Sequence, residues 1–400
     1  MQKVYIVDAK RTPIGKFLGT LSNLHPRVYG AEVVKAILST NKIDPKTVDE
    51  LIIGNVLPAG LGMNLARQIA IDAGLPESMP AHSVNMVCGS GMKSAMNAFT
   101  NIALGLHECV LAGGVESMSS APMILKDTRK GKKMGAPKVE DHMIDDALTD
   151  AFHHYHMGIT AENIAEKYAI SRDAQDDFAM ESQKRAIQAV DSGRFDDEIV
   201  PIDVPLKKET IHFDQDEYPN RTTTREILGK LRPAFKKDGT VTAGNSSGLN
   251  DGASFLLLAS EAYVERHGLT PLAEMVATGQ AGVDPQVMGL GPTPAIQNAL
   301  KMADLTFSDM ELMELNEAFA SQSLGVIHEL ADAFNTPQDE ILSMTNVNGG
   351  AIALGHPVGM SGNRIIVTLL HELKKQQKTT GLASLCIGGG MGTAMIVRMQ

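Results

Sequence analysis

The chain has 400 residues, 43% hydrophobic and 21% charged, with a formal net charge of −11 at pH 7. That length allows one large core or two to three modest ones. The charge argues against nonspecific nucleic-acid binding, and no apolar run approaches the ~20 residues of a membrane helix. Three cysteines suit a reducing compartment. The N-terminal run Lys3-Val4-Tyr5-Ile6-Val7 reads as a strand and not as a leader. Val397-Arg398-Met399-Gln400 is no Ser-Lys-Leu peroxisomal signal. The expectation is a cytoplasmic protein.

Apolar runs at residues 4–7, 50–56, 83–87 and 109–113 predict strands alternating with helical patterns, the signature of a layered α/β sheet. After the third run, Cys88-Gly89-Ser90-Gly91 leads into a predicted helix over 92–104, where Met92, Ala95, Met96, Phe99 and Ile102 recur at helical spacing. A cysteine at a helix N-terminus meets partial positive charge and free N–H groups, which favour a thiolate. Taken alone, Cys88 is equally readable as a small buried hydrophobe. Cys109, inside an apolar strand pattern, is assigned to the core. From 119 to about 245 the composition shifts to charge, methionine, histidine and loops, with a clear helix over 171–190. Here Lys126, Arg129, Lys130, Lys132, Lys133 and Lys138 form a basic run opposed only by Asp127. It is either a solvated face or a local offset to the net charge. His153, His154 and His156 lack any accompanying Cys pair or His-Glu-x-x-His pattern, so no metal is expected. Strand character returns at 249–259, and then at 274–281, 312–315, 344–347, 381–387 and 393–398.

The C-terminal third carries chemistry. In Asn348-Gly349-Gly350-Ala351-Ile352-Ala353-Leu354-Gly355-His356-Pro357-Val358-Gly359-Met360-Ser361-Gly362, glycines and Pro357 hold His356 on a stiff loop. A helix follows from near Ser361, with Ile365, Ile366, Leu369 and Leu370 on its apolar face. In Ala383-Ser384-Leu385-Cys386-Ile387-Gly388-Gly389-Gly390-Met391-Gly392, a strand ends in a cysteine and a glycine run. A phosphate-cradling glycine loop opens a helix; this one opens the strand-like Thr393-Ala394-Met395-Ile396-Val397, which excludes a dinucleotide site. Two cysteines and a histidine at strand ends or on glycine-bound loops make an acyl-transfer set. Asn316, in Asn316-Glu317-Ala318-Phe319, is a turn residue or a site residue. Val110-Leu111-Ala112-Gly113-Gly114-Val115 echoes Leu385-Cys386-Ile387-Gly388-Gly389-Gly390, a slim hint of two stacked halves.

These motifs resemble the thiolase family: Asn-Glu-Ala-Phe, Gly-His-Pro-x-Gly-x-Ser-Gly around His356, and Cys-x-Gly-Gly-Gly at Cys386, in the family's order. The likeness runs from Val4-Tyr5-Ile6-Val7-Asp8-Ala9-Lys10-Arg11-Thr12-Pro13 to the last strand. It implies an α/β thiolase fold, two similar α/β halves in a five-layered core. The N-terminal half would span 1–119 and 246–271, an inserted CoA-covering loop domain 120–245, and the C-terminal half 272–400. It implies Cys88 as acyl-accepting nucleophile, His356 as its base and Cys386 as the base that removes an α-proton. Asn316 would join His356 in holding the enolate oxygen through a water, and the N–H groups of Cys88 and Gly388 would hold the thioester oxygen. A glycine at 388 is expected to permit close backbone approach.

The resemblance further implies CoA contacts from Leu148, His156, Met157, Arg221, Phe235, Ala243, Ser247, Leu249, Met288, Ala318 and Phe319. No cofactor is implied; acetyl-CoA, acetoacetyl-CoA and CoA are substrates and products. The implied reaction joins two acetyl-CoA into acetoacetyl-CoA and CoA, because Met157 and Met288 would fill the space of a long acyl tail. The alternatives are degradative cleavage of longer 3-ketoacyl-CoA chains and, remotely, a non-catalytic acyl-CoA-binding relative. Neither nucleic acid nor membrane is an expected partner. The 119–138 stretch resembles the family's tetramerisation loop, which implies a homo-oligomer, a tetramer built as a dimer of dimers.

Overall fold

A computed structural model describes residues 2–400. In the first part of the chain β1 (Val4–Arg11), the short β2 (Gly15–Lys16), β3 (Glu50–Gly54), β4 (Ala81–Val84) and β5 (Cys109–Ser117) alternate with α1 (Pro26–Thr40), α2 (Leu65–Asp72) and α3 (Ser90–Ala103). The middle stretch holds two small antiparallel hairpins, β6 (Met123–Leu125) with β7 (Val139–Asp141) and β8 (Ile202–Pro205) with β9 (Thr210–Phe213). Its helices are α4 (Met157–Lys167), α5 (Arg172–Asp191) and α6 (Arg225–Lys230). The chain then adds β10 (Asn250–Ser260), α7 (Glu261–His267), β11 (Ala273–Gly282), α8 (Pro292–Ala303) and β12 (Leu312–Leu315). It ends with α9 (Ala320–Phe334), α10 (Gln338–Met344), α11 (Ala351–Leu354), α12 (Val358–Gln376), β13 (Thr380–Ile387) and β14 (Met391–Met399).

The main sheet runs β12-β13-β14-β11-β1-β10-β5-β3-β4, with β2 on β10. This order contains one motif twice. β3 lies parallel to β5, β5 antiparallel to β10, and β10 antiparallel to β1. Equally, β12 lies parallel to β13, β13 antiparallel to β14, and β14 antiparallel to β11. The two sets meet only through Tyr5↔Glu274 and Ile6↔Ala273.

Apolar side chains alternate across each strand and so serve both faces. On one side Val34, Ile37 and Ile69 of α1 and α2 pack on Leu51, Leu111 and Leu257. On the other, Met92, Ala95 and Phe99 of α3 meet Ile365, Ile366 and Leu369 of α12 between the two sheet halves. Beyond the second half lie Ile296 of α8 and Val326 and Leu330 of α9. The layers are therefore helices, sheet, helices, sheet, helices: the expected five. The central position of α12 explains why Val358 through Leu373 are buried without interruption. Its one buried cation in that run, Arg364, pairs with Glu314 of β12 at 3.1 Å.

Three expectations about elements need correction. The run 50–56 is a strand only to Gly54, and 83–87 only to Val84. The run 344–347 is not a strand. Met344 ends α10, and Thr345 makes a single parallel bridge to Met313. Asn346 then adopts φ 47°, and its side chain takes the strand's place: Oδ1 accepts Leu315 N–H at 2.8 Å and Nδ2 donates to Leu315 O at 2.7 Å. An asparagine amide mimics a peptide group, so it satisfies the edge without a strand. Among the described residues, no helix is long and apolar enough to cross a membrane.

Candidate active site

Cys88 is presented by a strained turn. After β4, Val87 sits at φ 45°, a conformation that β-branched residues rarely adopt. Local hydrogen bonds hold it there. Ser90 Oγ accepts Met86 N–H at 2.8 Å and donates to Val87 O at 2.6 Å, while Asn85 Oδ1 accepts Val87 N–H at 3.0 Å. The chain enters α3 immediately afterwards. Bare backbone lets α3 and α12 meet at their N-termini. A Cβ on Gly91 would lie 2.8 Å from Asn363 N, and one on Gly362 2.7 Å from Met92 N. This contact brings the Cys88 segment against the segment that follows His356.

The backbone N–H groups of Gly388 and Cys88 favour the anionic form of the Cys88 sulfur. Cys88 is only half-buried by exposure, yet the packed groups around its sulfur desolvate it and push its pKa up to about 11, with a smaller contribution from the Glu116 charge. The expected thiolate is thus corrected. The helix N-terminus favours the anion, but desolvation outweighs it, and the resting group is a thiol. Cys386, at 1% exposure, is pushed up further by burial and next by the proximity of Cys88. The two sulfurs share one site, one from each half.

His356 is 6% exposed. Its Nδ1 lies 2.5 Å from Ser361 Oγ, and that hydroxyl donates to Pro357 O at 3.0 Å. With the hydroxyl proton directed at Pro357 O, Nδ1 carries the imidazole proton and Nε2 presents a lone pair. Burial, and then the Arg364 charge, push the pKa down to about 4. His356 is therefore a neutral base, and its Nε2 has no partner among the described residues. The same holds for both amide atoms of Asn316, which is 1% exposed. Unpaired buried polar atoms are uncommon and here belong to two of the expected site residues. Sequence reasoning did not assign a role to Ser361, although it stands in the quoted glycine-rich motif.

The expected CoA contacts fall into groups. Met157, Met288, Ala318 and Phe319 pack with Cys386, and Phe235 borders them. Leu148 and Leu249 pack beside Cys88. His156 stacks on Phe235 with ring centroids 4.5 Å apart, and burial lowers its pKa. Ser247 N–H donates to Ala318 O at 3.0 Å, so this loop lies along the Ala318-Phe319 segment. Ala243 and Arg221 stand apart from that group, lining a cavity of about 590 Å³ with Tyr218 and Leu228. Arg221 already forms a two-pronged pair with Asp191, at 2.5 and 2.9 Å. The histidines of 153–156 do not converge: His153 bonds Asp150 at 3.0 Å, and His156 faces Phe235.

A Cβ at Gly388 would come no closer than 3.5 Å to Met157 Sδ or Val87 Cγ1, so the protein's own packing leaves room there. The turn depends on Gly389 and Gly390, at φ 86° and 87°. One expectation changes: the basic run is less free than it reads. Lys126 pairs with Glu140 and Asp145, and Lys138 with Glu140, across the β6–β7 hairpin. These acids lie beyond the run in sequence, which is why Asp127 alone seemed to oppose it.

Residues 4–262 match the family model of the thiolase N-terminal domain, and residues 269–399 that of the thiolase C-terminal domain. The chain belongs to the thiolase family. This thiolase is 50% identical over 401 residues to the acetyl-CoA acetyltransferase of Cupriavidus necator, covering 100% of both chains. Among solved structures it is similar to the acetyl-CoA acetyltransferase of Syntrophomonas wolfei, with TM-score 0.97 and 42% identity over 100% of both chains. It is also similar to human mitochondrial 3-ketoacyl-CoA thiolase in complex with CoA, with TM-score 0.93 and 45% identity over 100% of this chain and 98% of that one.

Proposed function

We propose that this thiolase is an acetyl-CoA acetyltransferase, condensing two acetyl-CoA into acetoacetyl-CoA and CoA, reversibly, through acetyl-Cys88. The observation that carries the reading is the neutral His356, its Nε2 lone pair unpartnered, in a site where Cys88 and Cys386 meet. In the first half-reaction the Cys88 proton passes to His356 Nε2 as the sulfur attacks the thioester carbonyl. The Cys88 and Gly388 N–H groups, which favour negative charge at this sulfur, stabilise the oxyanion. CoA leaves and takes the Cys386 proton. In the second half-reaction the Cys386 thiolate removes a proton from the methyl carbon of the next acetyl-CoA. Burial of Cys386 makes that thiolate a strong base. His356, now protonated, and Asn316 donate to the enolate oxygen, Asn316 through a water. The enolate attacks acetyl-Cys88, a carbon–carbon bond forms, and the departing Cys88 sulfur recovers its proton from His356. Protons balance over the cycle.

Buried Met157 and Met288, packed on Cys386, support the short acyl chain. We also propose cytoplasmic location, a role in lipid metabolism, and a homotetramer. The degradative reading draws on the likeness to the human 3-ketoacyl-CoA thiolase, at 45% identity. A thiolysis panel of 3-ketoacyl-CoA substrates from C4 to C10 separates the two. The proposal expects kcat/KM to be highest at C4 and to fall steeply by C6 or C8, since each methylene in a closed pocket changes discrimination by about 1–3 kcal/mol. A C8 or C10 value equal to or above C4 reassigns the enzyme to degradation and leaves the site chemistry standing.

A further inference from the structure

A second set of buried side chains grips the backbone that carries His356. Glu116 of β5 is 0% exposed. Its Oε1 accepts Asn55 Nδ2 at 2.9 Å and Leu57 N–H at 3.1 Å; its Oε2 accepts Val56 N–H and Gly359 N–H, each at 2.9 Å. Gly359 is three residues after His356, in the first turn of α12. On the adjacent strand, Asn250 Oδ1 accepts the N–H of His356 itself at 2.9 Å, and Asn250 Nδ2 donates to Gly15 O at 3.0 Å. β5 and β10 are paired antiparallel, with Gly252 opposite Glu116. The His356–Gly359 loop follows the second half's strands and helices in sequence, yet side chains of the first half hold it at both ends.

The composition of this grip is informative. Burying a carboxylate is costly unless it is fully hydrogen-bonded. Here four N–H donors fill both oxygens and favour the anion, yet burial outweighs them and pushes the Glu116 pKa up to about 7, so the group is mostly ionised at about pH 8. An apolar side chain would join the same layers without that cost. What the carboxylate adds is direction: one rigid group fixes the end of β3, through residues 55–57, and the start of α12 relative to each other. The Cys88 helix lies between these elements and touches α12 at Gly91 and Gly362. Loss of one acceptor leaves buried N–H groups unsatisfied, so the loop must shift to recover partners.

We infer that Glu116 is a positioning residue for acyl transfer: with Asn250 it fixes the loop bearing His356 against the helix that presents Cys88. It acts through these neighbours and is not itself a proton carrier in the reaction. Its charge has a second, separable effect, since it opposes ionisation of Cys88. The inference rests on the roles proposed for Cys88 and His356.

The test uses the full-length enzyme and two variants, after wild type has been shown to acquire an acetyl group on Cys88. A wild type without that adduct refutes the site assignment itself, a failure distinct from any variant result. Glu116→Gln keeps shape and removes one acceptor and the charge. Single-turnover acetylation of Cys88 is expected to slow about 10²-fold, the scale of a 1 Å misplacement, while acetyl-CoA Kd changes by less than about twofold. Iodoacetamide should label Cys88 faster than in wild type at about pH 8, because the neighbouring charge is gone, with Cys109 still unlabelled. Gly359→Ala places a Cβ 2.5 Å from Glu116 Oε2 and keeps the charge. It should slow acetylation comparably while leaving the iodoacetamide rate at the wild-type value. This variant also decides the matter if Glu116→Gln does not fold. A merely structural role predicts loss of CoA binding in step with acetylation, and that result overturns the inference. So does acetylation at the wild-type rate in either variant.

Discussion

Cys88 and His356 rest as a neutral thiol and a neutral imidazole, with pKa values of about 11 and about 4. A thiolate–imidazolium pair would need the opposite order. Nucleophilicity therefore arises only when proton transfer and attack on the thioester occur together. For the free enzyme this predicts iodoacetamide inactivation whose rate keeps rising with pH, with no plateau below about pH 9. A plateau at neutral pH would contradict it. Cys386 is the complementary case. Cys386→Ser should still form acetyl-Cys88, more slowly because the departing CoA loses its proton donor, and should slow condensation by several orders of magnitude, because a hydroxyl is a far weaker base. Asn316→Ala should slow condensation by about 10²–10³; an equal loss of acetylation in both variants would mark the two residues as structural. The sequence shows which residues these are, because each stands in a distinctive motif. It does not show their protonation. The helix-terminus argument for Cys88 omitted desolvation, a property of everything packed around the sulfur. Glu116 and Asn250 stayed hidden for a related reason: their partners lie 59 to 243 positions away, and neither sits in a motif that suggests a ligand.

At the scale of elements, strands and helices with strong apolar periodicity were legible, as α3, α5 and β5 show. The 344–347 run was not, because a single side-chain amide, Asn346, replaces a strand's hydrogen bonds. Two elements bear on specificity. The 3-10 turn Pro285–Leu290 carrying Met288 and the start of α4 carrying Met157 pack together beside Cys386. Methionine is flexible, so exclusion should be graded. Met288→Ala is expected to flatten the C4-to-C10 thiolysis profile, with a smaller effect at C4; an unchanged profile would remove Met288 from chain-length control. The β6–β7 hairpin bears on charge. Lys126 and Lys138 are neutralised by Glu140 and Asp145, whereas Arg129, Lys130, Lys132 and Lys133 have no carboxylate partner among the described residues. If these cations lie near CoA phosphates of a neighbouring subunit, reversing Lys130, Lys132 and Lys133 together raises KM for CoA substrates, most at low salt. An unchanged KM at low ionic strength assigns the loop to solvent.

For the whole molecule, the repeated strand order and the five layers explain why the site lies between halves. β4, at the edge of the first half, leads to Cys88, β13 of the second half carries Cys386, and α3 and α12 meet between the halves. The sequence carried a six-residue echo of this repeat and the same strand–turn–helix order around Cys88 and His356. Strand order and sheet pairing are non-local, whereas sequence periodicity reports only which local faces are apolar. The central claim is that this assembly transfers an acetyl group through the one sulfur that the first half presents to a base from the second. Its most direct test is rapid quenching of the enzyme with acetyl-CoA, followed by peptide mass spectrometry. A single acetyl group is expected on the peptide containing Cys88, absent in His356→Ala within the same quench time. Acetyl label confined to Cys386 or Cys109 would contradict it.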